Sequence, residues 1–297
     1  MRRPCAVVAG GAVLAAALFS VSCAASESAP LTLGDDRGID VRLAAPARRI
    51  VTLAPSLTEL AFAAGAGDAV VGVSRMSRHP AAARVLPVVG DAAQVNFEKI
   101  LALRADLALA WISGNAPRHL DALARLKVPV FAVELRRLDD VPRVLRLIGT
   151  LAGTPAPAAL AADDYARALA ALRAAAAGRA PVTVFYAVWD APLMTVNGTH
   201  LISDVLSACG GRNVFANATA LVPTVSLEAV IAAGPAVILG GGPDGAAAFE
   251  NAWRRKLAAL PAFRPRIMYV DPEALQSQGP RVLEGARAVC AALAAAR

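Results

Sequence analysis

The chain carries the stretch VNFEKILALRADLALAW at residues 95–111, which joins a short capped helix to an apolar strand. Asn96 is a residue type preferred at helix N-caps, and the residues from Ile100 to Leu103 supply an apolar face. The stretch VSLEAVIAAGPAVIL at residues 225–239 repeats this order 130 positions further along. One unit that recurs in both halves of a chain predicts two similar lobes that face each other across a cleft.

Strands alternate with helices on both sides of these two stretches. Residues 50–53 form a β-branched strand signal, after which Pro55 breaks the strand, and Ser56 with Glu59 predicts a capping box at the start of a helix. A further strand at 182–188 restarts the pattern. This alternation predicts an α/β fold with mostly parallel sheets.

The middle of the chain is alanine-rich and has no strand signal. A single long helix is therefore expected there, and it could brace the two lobes. The predicted organisation is a signal peptide at 1–24, an N-terminal lobe at 31–152, an interlobe helix at 155–178 and a C-terminal lobe at 181–297.

The N-terminus has the pattern of an export signal. Arg2 and Arg3 precede an apolar stretch at residues 6–21, and small residues around Cys23 fit a cleavage site. A soluble periplasmic product is favoured, and a lipoprotein acylated at Cys23 is the alternative.

The composition is that of a globular protein. Of the 297 residues 57% are hydrophobic and 18% are charged, and the formal net charge is +7. Because the basic residues are spread out rather than clustered, a nucleic-acid partner is not expected.

Cys209 and Cys290 remain after the two cysteines of the signal region. An even pair in an oxidising compartment favours one disulfide. Two separate buried thiols are the alternative.

Motifs for catalysis and for metal binding are absent from the sequence. It has no His-Glu-x-x-His, no Cys-x-x-Cys, no Gly-x-Ser-x-Gly and no Walker loop. His79, His119 and His200 are not at metal-ligand spacing. We therefore expect a binding protein with no catalytic residue, no metal site and no cofactor. We also expect a monomer. A secreted α/β enzyme and a lipid-anchored interaction protein are the alternatives from other classes.

Two tryptophans and two glutamates are the candidate functional residues. Trp111 ends one predicted strand and Trp189 follows another, and strand ends in open α/β sheets face the ligand crevice. Glu98 and Glu228 each take the second position of a capped helix. An acidic residue there either interacts with the helix dipole alone or also offers a docking point on each lobe.

At these residues the chain resembles the helical-backbone metal receptor family, whose members bind cobalamin, ferric siderophores or haem, and it looks most like the cobalamin-binding members. The resemblance runs from about residue 49 to the C-terminus. The segments that carry it are RIVTLAPSLTELAFAAG, VGVS, VNFEKILALRADLALAW with GNAPR, VSLEAVIAAGPAVIL, GGPD and GPRVLEGARAVCAAL.

The resemblance implies two Rossmann-like lobes joined by one long rigid α-helix, with the ligand between them. It implies that Glu98 and Glu228 dock the permease dimer of an ABC importer, and it matches Cys209 and Cys290 to a family disulfide. The transported ligand would be cobalamin or a related corrinoid.

The resemblance also implies a set of ligand contacts, in which this chain departs from the cobalamin-binding members. Trp111 is kept, whereas family aromatic contacts become Met76, Ala92 and Val222, an acidic contact falls on Glu273 and an arginine contact becomes Ser277. The candidate ligand residues are Trp111, Trp189, Met76, Arg75, Val222 and Glu273. Haem or a ferric siderophore is the alternative ligand, with His79 or Tyr186 at the iron.

Overall fold

The computed structural model describes residues 30–242 and 244–297. The predicted signal peptide at 1–24, with Cys5 and Cys23, lies outside the described residues.

Strands and helices alternate along most of the described chain. The strands are β1 Leu31–Gly34, β2 Asp40–Leu43, β3 Ile50–Thr52, β4 Val70–Ser74, β5 Val88–Gly90, β6 Leu107–Trp111, β7 Val130–Val133, β8 Val182–Ala187, β9 Trp189–Asp190, β10 Leu193–Met194, β11 Gly211–Asn213, β12 Val237–Gly240 and β13 Arg266–Tyr269. The helices are α1 Pro55–Ala63, α2 Phe97–Ala102, α3 Pro117–Arg125, α4 Asp140–Ala152, α5 Pro155–Ala176, α6 Leu201–Ala208, α7 Leu227–Ala233, α8 Gly245–Leu257, α9 Pro272–Leu275 and α10 Val282–Ala295. Short 3₁₀ turns cover Gly67–Ala69 and Ala81–Val85.

Two parallel sheets form the centres of the two halves. The first has the order β5-β4-β3-β6-β7 and the second has the order β11-β8-β12-β13, and every pairing within them is parallel. Four strands of the first sheet therefore correspond one by one to the second, with β5 as an addition. This matches the repeat in the sequence and confirms the expected α/β fold.

The helix α5 connects the two sheets in the sequence and packs on both halves. It contacts α1 and α4 of the first half and α6 and α10 of the second half. Its buried side includes Ala158, Tyr165 and Leu169. A side chain at Gly149 of α4 would collide with the Cβ of Ala158, so glycine lets these two helices approach closely. The helix ends two residues before the expected boundary at 178.

The N-caps of α2 and α7 are confirmed, whereas the capping box at Ser56 is wrong. The Asn96 side chain accepts a hydrogen bond from the N–H of Lys99 at 2.9 Å, and the Ser226 hydroxyl accepts one from Ala229 at 3.2 Å. The helix α1 instead begins at Pro55, which is suited to the first helical position because its φ is already helical and it needs no N–H partner. Ser56 therefore falls inside the first turn.

The disulfide expected between Cys209 and Cys290 is present, with an S–S distance of 2.03 Å. It joins the end of α6 to α10 in the second half. The alternative of two separate thiols is thereby excluded. Within the described part of the chain, no helix combines the length and the apolar character that a membrane crossing needs.

Candidate functional site

A cavity of about 160 Å³ lies between the two halves at the carboxyl end of the first sheet. We call it the interlobe cavity. The first half lines it with residues that follow β6 and β7, and the second half lines it with residues near α6 and before α10. Its lining includes Trp111, Glu134, Arg136, His200, Val222 and Gln278.

A hydrogen bond from its backbone N–H helps to fix Trp111 in the wall of this cavity. Its N–H donates to the Asn115 side chain at 2.8 Å, and the Asn115 amide donates in turn to the carbonyl of Leu53 at 3.0 Å. The ring packs so closely on Gly114 that a side chain there would collide with it. The indole Nε1–H is buried without a partner among the described residues, an arrangement that costs about 1–3 kcal/mol.

Glu134 is the acidic group of the interlobe cavity. Its carboxylate accepts hydrogen bonds from the Ser113 N–H and the Ser113 hydroxyl, both at 2.9 Å. The Nε of Arg136 lies 3.6 Å from the same carboxylate. The Glu134 side chain is 15% exposed and that of Arg136 is 42% exposed, so the cation of this pair is the more hydrated partner.

His200 contributes a neutral imidazole to the same cavity. It is the N-cap of α6, and its Nδ1 accepts a hydrogen bond from the N–H of Ile202 at 3.1 Å. Burial, with the nearby charge of Arg136, lowers the pKa of His200 to about 4. At neutral pH the proton is therefore on Nε2, which makes that nitrogen a donor.

The turn after β4 presents Met76 at the surface. Met76 has a left-handed backbone with φ of 69°, and its side chain belongs to the exposed apolar residues. Buried hydroxyl groups form a hydrogen-bonded chain under this turn. The Thr58 hydroxyl lies within hydrogen-bonding distance of those of Thr52 and Ser77. The Ser77 hydroxyl lies 3.2 Å from that of Ser74. This packing holds a conformation that methionine rarely adopts.

Four charged or titratable side chains meet across the two halves, and we call them the cross-lobe cluster. His79 lies 3.0 Å from Glu273, and Arg281 lies 3.7 Å from Glu59 and 3.8 Å from Glu273. The hydrogen bond from His79 lowers the pKa of Glu273. Burial raises the pKa of Glu59, although the charge of Arg281 opposes that rise.

Arg75 and Glu98 line a different cavity, of about 480 Å³, that belongs to the first half alone. Arg75 lies 3.3 Å from Asp91, whose pKa is lowered mainly by the backbone N–H groups of residues 94 and 93. The structure thus brings Trp111 and Val222 together in one cavity and places Arg75 in another. The roles of all these residues in ligand binding stay predictions.

Trp189 lies in neither cavity. It begins the β9–β10 hairpin with 58% of its surface exposed, and its Nε1 donates to the carbonyl of Ala191 at 3.0 Å. The neighbouring Asp190 forms an ion pair of 2.8 Å with Lys256. Trp253 is 1% exposed and contacts Phe185 edge to face.

Glu98 and Glu228 occupy equivalent places in the two halves. Each is exposed, follows a half-buried apolar residue and precedes a buried residue of the same short helix. Hydrogen bonds from its own backbone N–H and from the Ser226 hydroxyl lower the pKa of Glu228, so the carboxylate form is favoured there. The two acids are therefore matched in position and exposure.

Sequence reasoning missed Glu134, Arg136 and Gln278 and discounted His200. The strand-end rule that selected Trp111 also applies to Glu134, which directly follows β7. The resemblance named Glu273 and His79, but no signal showed that these two side chains would meet. Among the described residues, no group of three or more His, Cys, Asp or Glu side chains is arranged to hold a metal ion.

Comparison with known proteins places the chain in a family. The model of the family described as "Periplasmic binding protein" matches residues 50–274. The Vitamin B12-binding protein of Pectobacterium carotovorum subsp. carotovorum (strain PC1) is 36% identical over 251 residues, which cover 84% of this chain and 89% of that protein. The Vitamin B12-binding protein of Vibrio cholerae serotype O1 (strain ATCC 39315 / El Tor Inaba N16961) is 35% identical over 246 residues, or 82% and 88% of the two chains.

Solved structures agree with this placement. The crystal structure of the periplasmic vitamin B12 binding protein BtuF of Vibrio cholerae has a TM-score of 0.75 and 34% identity, and it covers 84% of this chain and 98% of its own. The periplasmic heme-binding protein RhuT from Roseiflexus sp. RS-1 has a TM-score of 0.72 and 26% identity over 84% and 99% of the two chains. This chain belongs to the periplasmic binding protein family.

Proposed function

We propose that this protein is the substrate-binding protein of an ABC importer and that it captures cobalamin or a related corrinoid between its two halves. The observation that carries the proposal is the likeness to proteins named for vitamin B12 binding, which spans 84% of the chain and so includes both walls of the cleft. The protein acts as a monomer that binds and releases its ligand without catalysis. Its place is the periplasm.

The interlobe cavity supports this proposal because Trp111 and Val222 come from opposite halves and meet there. Tryptophan offers a flat apolar face to a planar ligand. Met76, Arg75, Trp189 and Glu273 contact outer parts of the ligand under this proposal. Glu273, of the second half, lies beside His79 of the first half, so it stands where the two halves meet.

Titration with cyanocobalamin tests the ligand. We expect saturable quenching of tryptophan fluorescence in the purified protein and a matching heat in calorimetry, because Trp111 lines the cavity. Trp111→Phe should reduce the quenching, whereas Trp253→Phe should preserve it because Trp253 is buried away from the cleft. An absence of saturable heat with cyanocobalamin would contradict the corrinoid assignment.

Haem is the second candidate ligand, since RhuT has the same fold and 26% identity. Of the two residues considered for iron, Tyr186 is fully buried in the second sheet and its hydroxyl accepts a hydrogen bond from Gln276 at 3.4 Å. Only His79 then remains for iron. A Soret band that appears on haemin addition and is lost in His79→Ala would favour haem.

We further propose that Glu98 and Glu228 dock the permease. Their equivalent positions and exposure suit a partner with two-fold symmetry. In the double variant Glu98→Lys/Glu228→Lys, cobalamin uptake by cells should fall at least about tenfold while the affinity of the purified protein changes less than about twofold, because contacts at the permease are lost. Asp121→Lys, at an exposed acid of α3, is the matched control. Normal uptake by the double variant would remove the docking role.

The finer form of the localisation is also a proposal. We favour a soluble protein after signal cleavage over a lipid anchor at Cys23. Mass spectrometry of the mature N-terminus distinguishes the two, because acylation would add the mass of lipid chains at that cysteine.

A further inference from the structure

The interlobe cavity is too small for a whole macrocyclic ligand. Its volume is about 160 Å³, whereas sites for complete drug-sized ligands are roughly 300–1,000 Å³. A corrin or a porphyrin placed between the halves would therefore extend outside it. What the cavity can hold is one polar arm from the edge of such a ring.

The polar side chains that line the cavity include donors, an acceptor and one amide, that of Gln278, which can act as both. His200 supplies an Nε2–H donor, since its Nδ1 is occupied by the helix backbone. Trp111 supplies an indole N–H that is buried without a partner among the described residues. Glu134 supplies a carboxylate, which only accepts hydrogen bonds when it is ionised. Residues that carry donors and an acceptor thus line one small space.

The charge of the cavity decides between two arms of similar shape. A primary carboxamide has both an acceptor oxygen and a donor NH₂, so it can satisfy donors and acceptor together. A carboxylate has no donor for Glu134 and carries the same charge as Glu134. Arg136 offsets this repulsion only in part, because it lies 3.6 Å from the carboxylate and is 42% exposed, compared with 15% for Glu134.

Resting on the proposed function, we infer that the interlobe cavity is a subsite for a carboxamide arm of the ligand and that Glu134 disfavours a carboxylate in the same place. Corrins carry carboxamide arms at the ring edge, whereas haem carries carboxylates. The subsite therefore provides a physical basis for preferring a corrinoid over haem on this fold.

The test uses cyanocobalamin and its separated monocarboxylic acid derivatives, in each of which one amide arm has become a carboxylate. With the wild-type protein at pH 7.5, calorimetry should find one derivative about tenfold or more weaker than cyanocobalamin and the others close to it, because only one arm enters the cavity. This comparison needs no variant. Equal affinities for all derivatives would overturn the subsite.

Two variants test the acceptor Glu134 and the donor His200 separately. In Glu134→Gln, the affinities for cyanocobalamin and for the discriminated monocarboxylic acid derivative should differ by less than about threefold. The reason is that the repelling charge is gone while the shape of the side chain is kept. His200→Ser should weaken cyanocobalamin binding about five- to tenfold, because serine still caps α6 but loses the far donor. Glu250→Gln, which is remote from the cavity, is the matched control and should bind like the wild type.

The outcomes distinguish the subsite from the function on which it rests. If the wild type binds cyanocobalamin but neither the derivatives nor the variants differ as expected, the subsite is wrong and the proposed function stands. If a folded Glu134→Gln protein still binds the discriminated carboxylate derivative as much more weakly than cyanocobalamin as the wild type does, Glu134 does not select the arm. If cyanocobalamin does not bind at all, both proposals fail.

Discussion

The carboxyl edges of the two sheets differ although their strand orders correspond. In the first half β6 ends in Trp111 and β7 is followed by Glu134, so side chains fill that edge. In the second half β12 ends in Gly240 and is followed by Gly241, where a side chain would collide with the carbonyl of Val270. At these corresponding strand ends the first half therefore presents side chains, whereas the second half presents backbone.

In contrast to the sheet edges, the helices α2 and α7 are alike in the two halves. Each has a side-chain N-cap, an exposed glutamate at the second position and one buried residue in the following turn. The duplicated fold has thus kept its symmetry on the helices proposed to meet a two-fold permease. It has lost symmetry at the cleft, where the proposed ligand has no two-fold axis.

The largest expected difference between the halves comes from the disulfide of the second half. Cys209 and Cys290 are 81 residues apart, and the chain-entropy model assigns about 4–5 kcal/mol to closing such a loop. We expect the double variant Cys209→Ala/Cys290→Ala to lose roughly that free energy of unfolding. Urea unfolding followed by circular dichroism measures it, with the reduced wild type as control. A loss under about 1 kcal/mol would show that the second half does not depend on its covalent link.

The close packing around the glycines at the carboxyl edge of the second sheet can be tested by adding one methyl group. In Gly241→Ala the new Cβ would press on Val270 and lie 2.7 Å from the Pro272 ring, so we expect about 1–3 kcal/mol of destabilisation. Gly242→Ala is the matched control, since nothing described lies within 4 Å of its Cβ position. The two melting temperatures should therefore separate. If both variants melt together, close packing does not explain the glycines at this edge.

The symmetry of the two short helices predicts nearly equal effects. Asn96→Ala and Ser226→Ala each remove one N-cap acceptor, and each should lower the free energy of unfolding by about 1 kcal/mol. Denaturant unfolding of the two single variants measures both values. A difference larger than about 1 kcal/mol would mean that the surroundings of α2 and α7 are less alike than their sequences.

The smallest expected effect concerns pH at the cross-lobe cluster. Because burial raises the pKa of Glu59, its favourable contribution is complete below the ordinary pKa of a glutamate and is lost as the pH rises through the raised value. The stability of Glu59→Gln relative to the wild type should therefore increase from pH 4 to pH 7. Urea unfolding at both pH values measures this change.

Glu273 provides the contrast within the same cluster. Its pKa is lowered, so its contribution is present above the ordinary glutamate pKa and is lost as the pH falls through the lowered value. The stability of Glu273→Gln relative to the wild type should accordingly increase as the pH falls, whereas that of Glu59→Gln should decrease. Parallel pH profiles for the two variants would contradict the assigned environments.

Much of the fold was predictable because its signals are local. The N-cap of α2 was predicted from Asn96, a residue type that favours this position, and the structure has the hydrogen bond from Lys99 that such a cap accepts. The start of α1 was wrong because the sequence alone did not show that Pro55 would occupy the first helical position in place of a Ser56 cap.

The site was less predictable because it is made from distant parts of the chain. Trp111 could be selected from its place at a strand end, but its meeting with His200 depends on how the two halves pack. The hydrogen bond between His79 and Glu273 joins residues 194 positions apart. Such contacts are set by loop paths and helix packing, which leave no periodic pattern in the sequence.

The helix α5 determines how the two halves can move. Its 22 residues make a rod about 33 Å long, and it is clamped by helices of both halves along its length. Separating the halves would therefore have to bend this helix or shift it against its neighbours. Under the proposed function, a permease that opens the cleft would have to act against this helix packing.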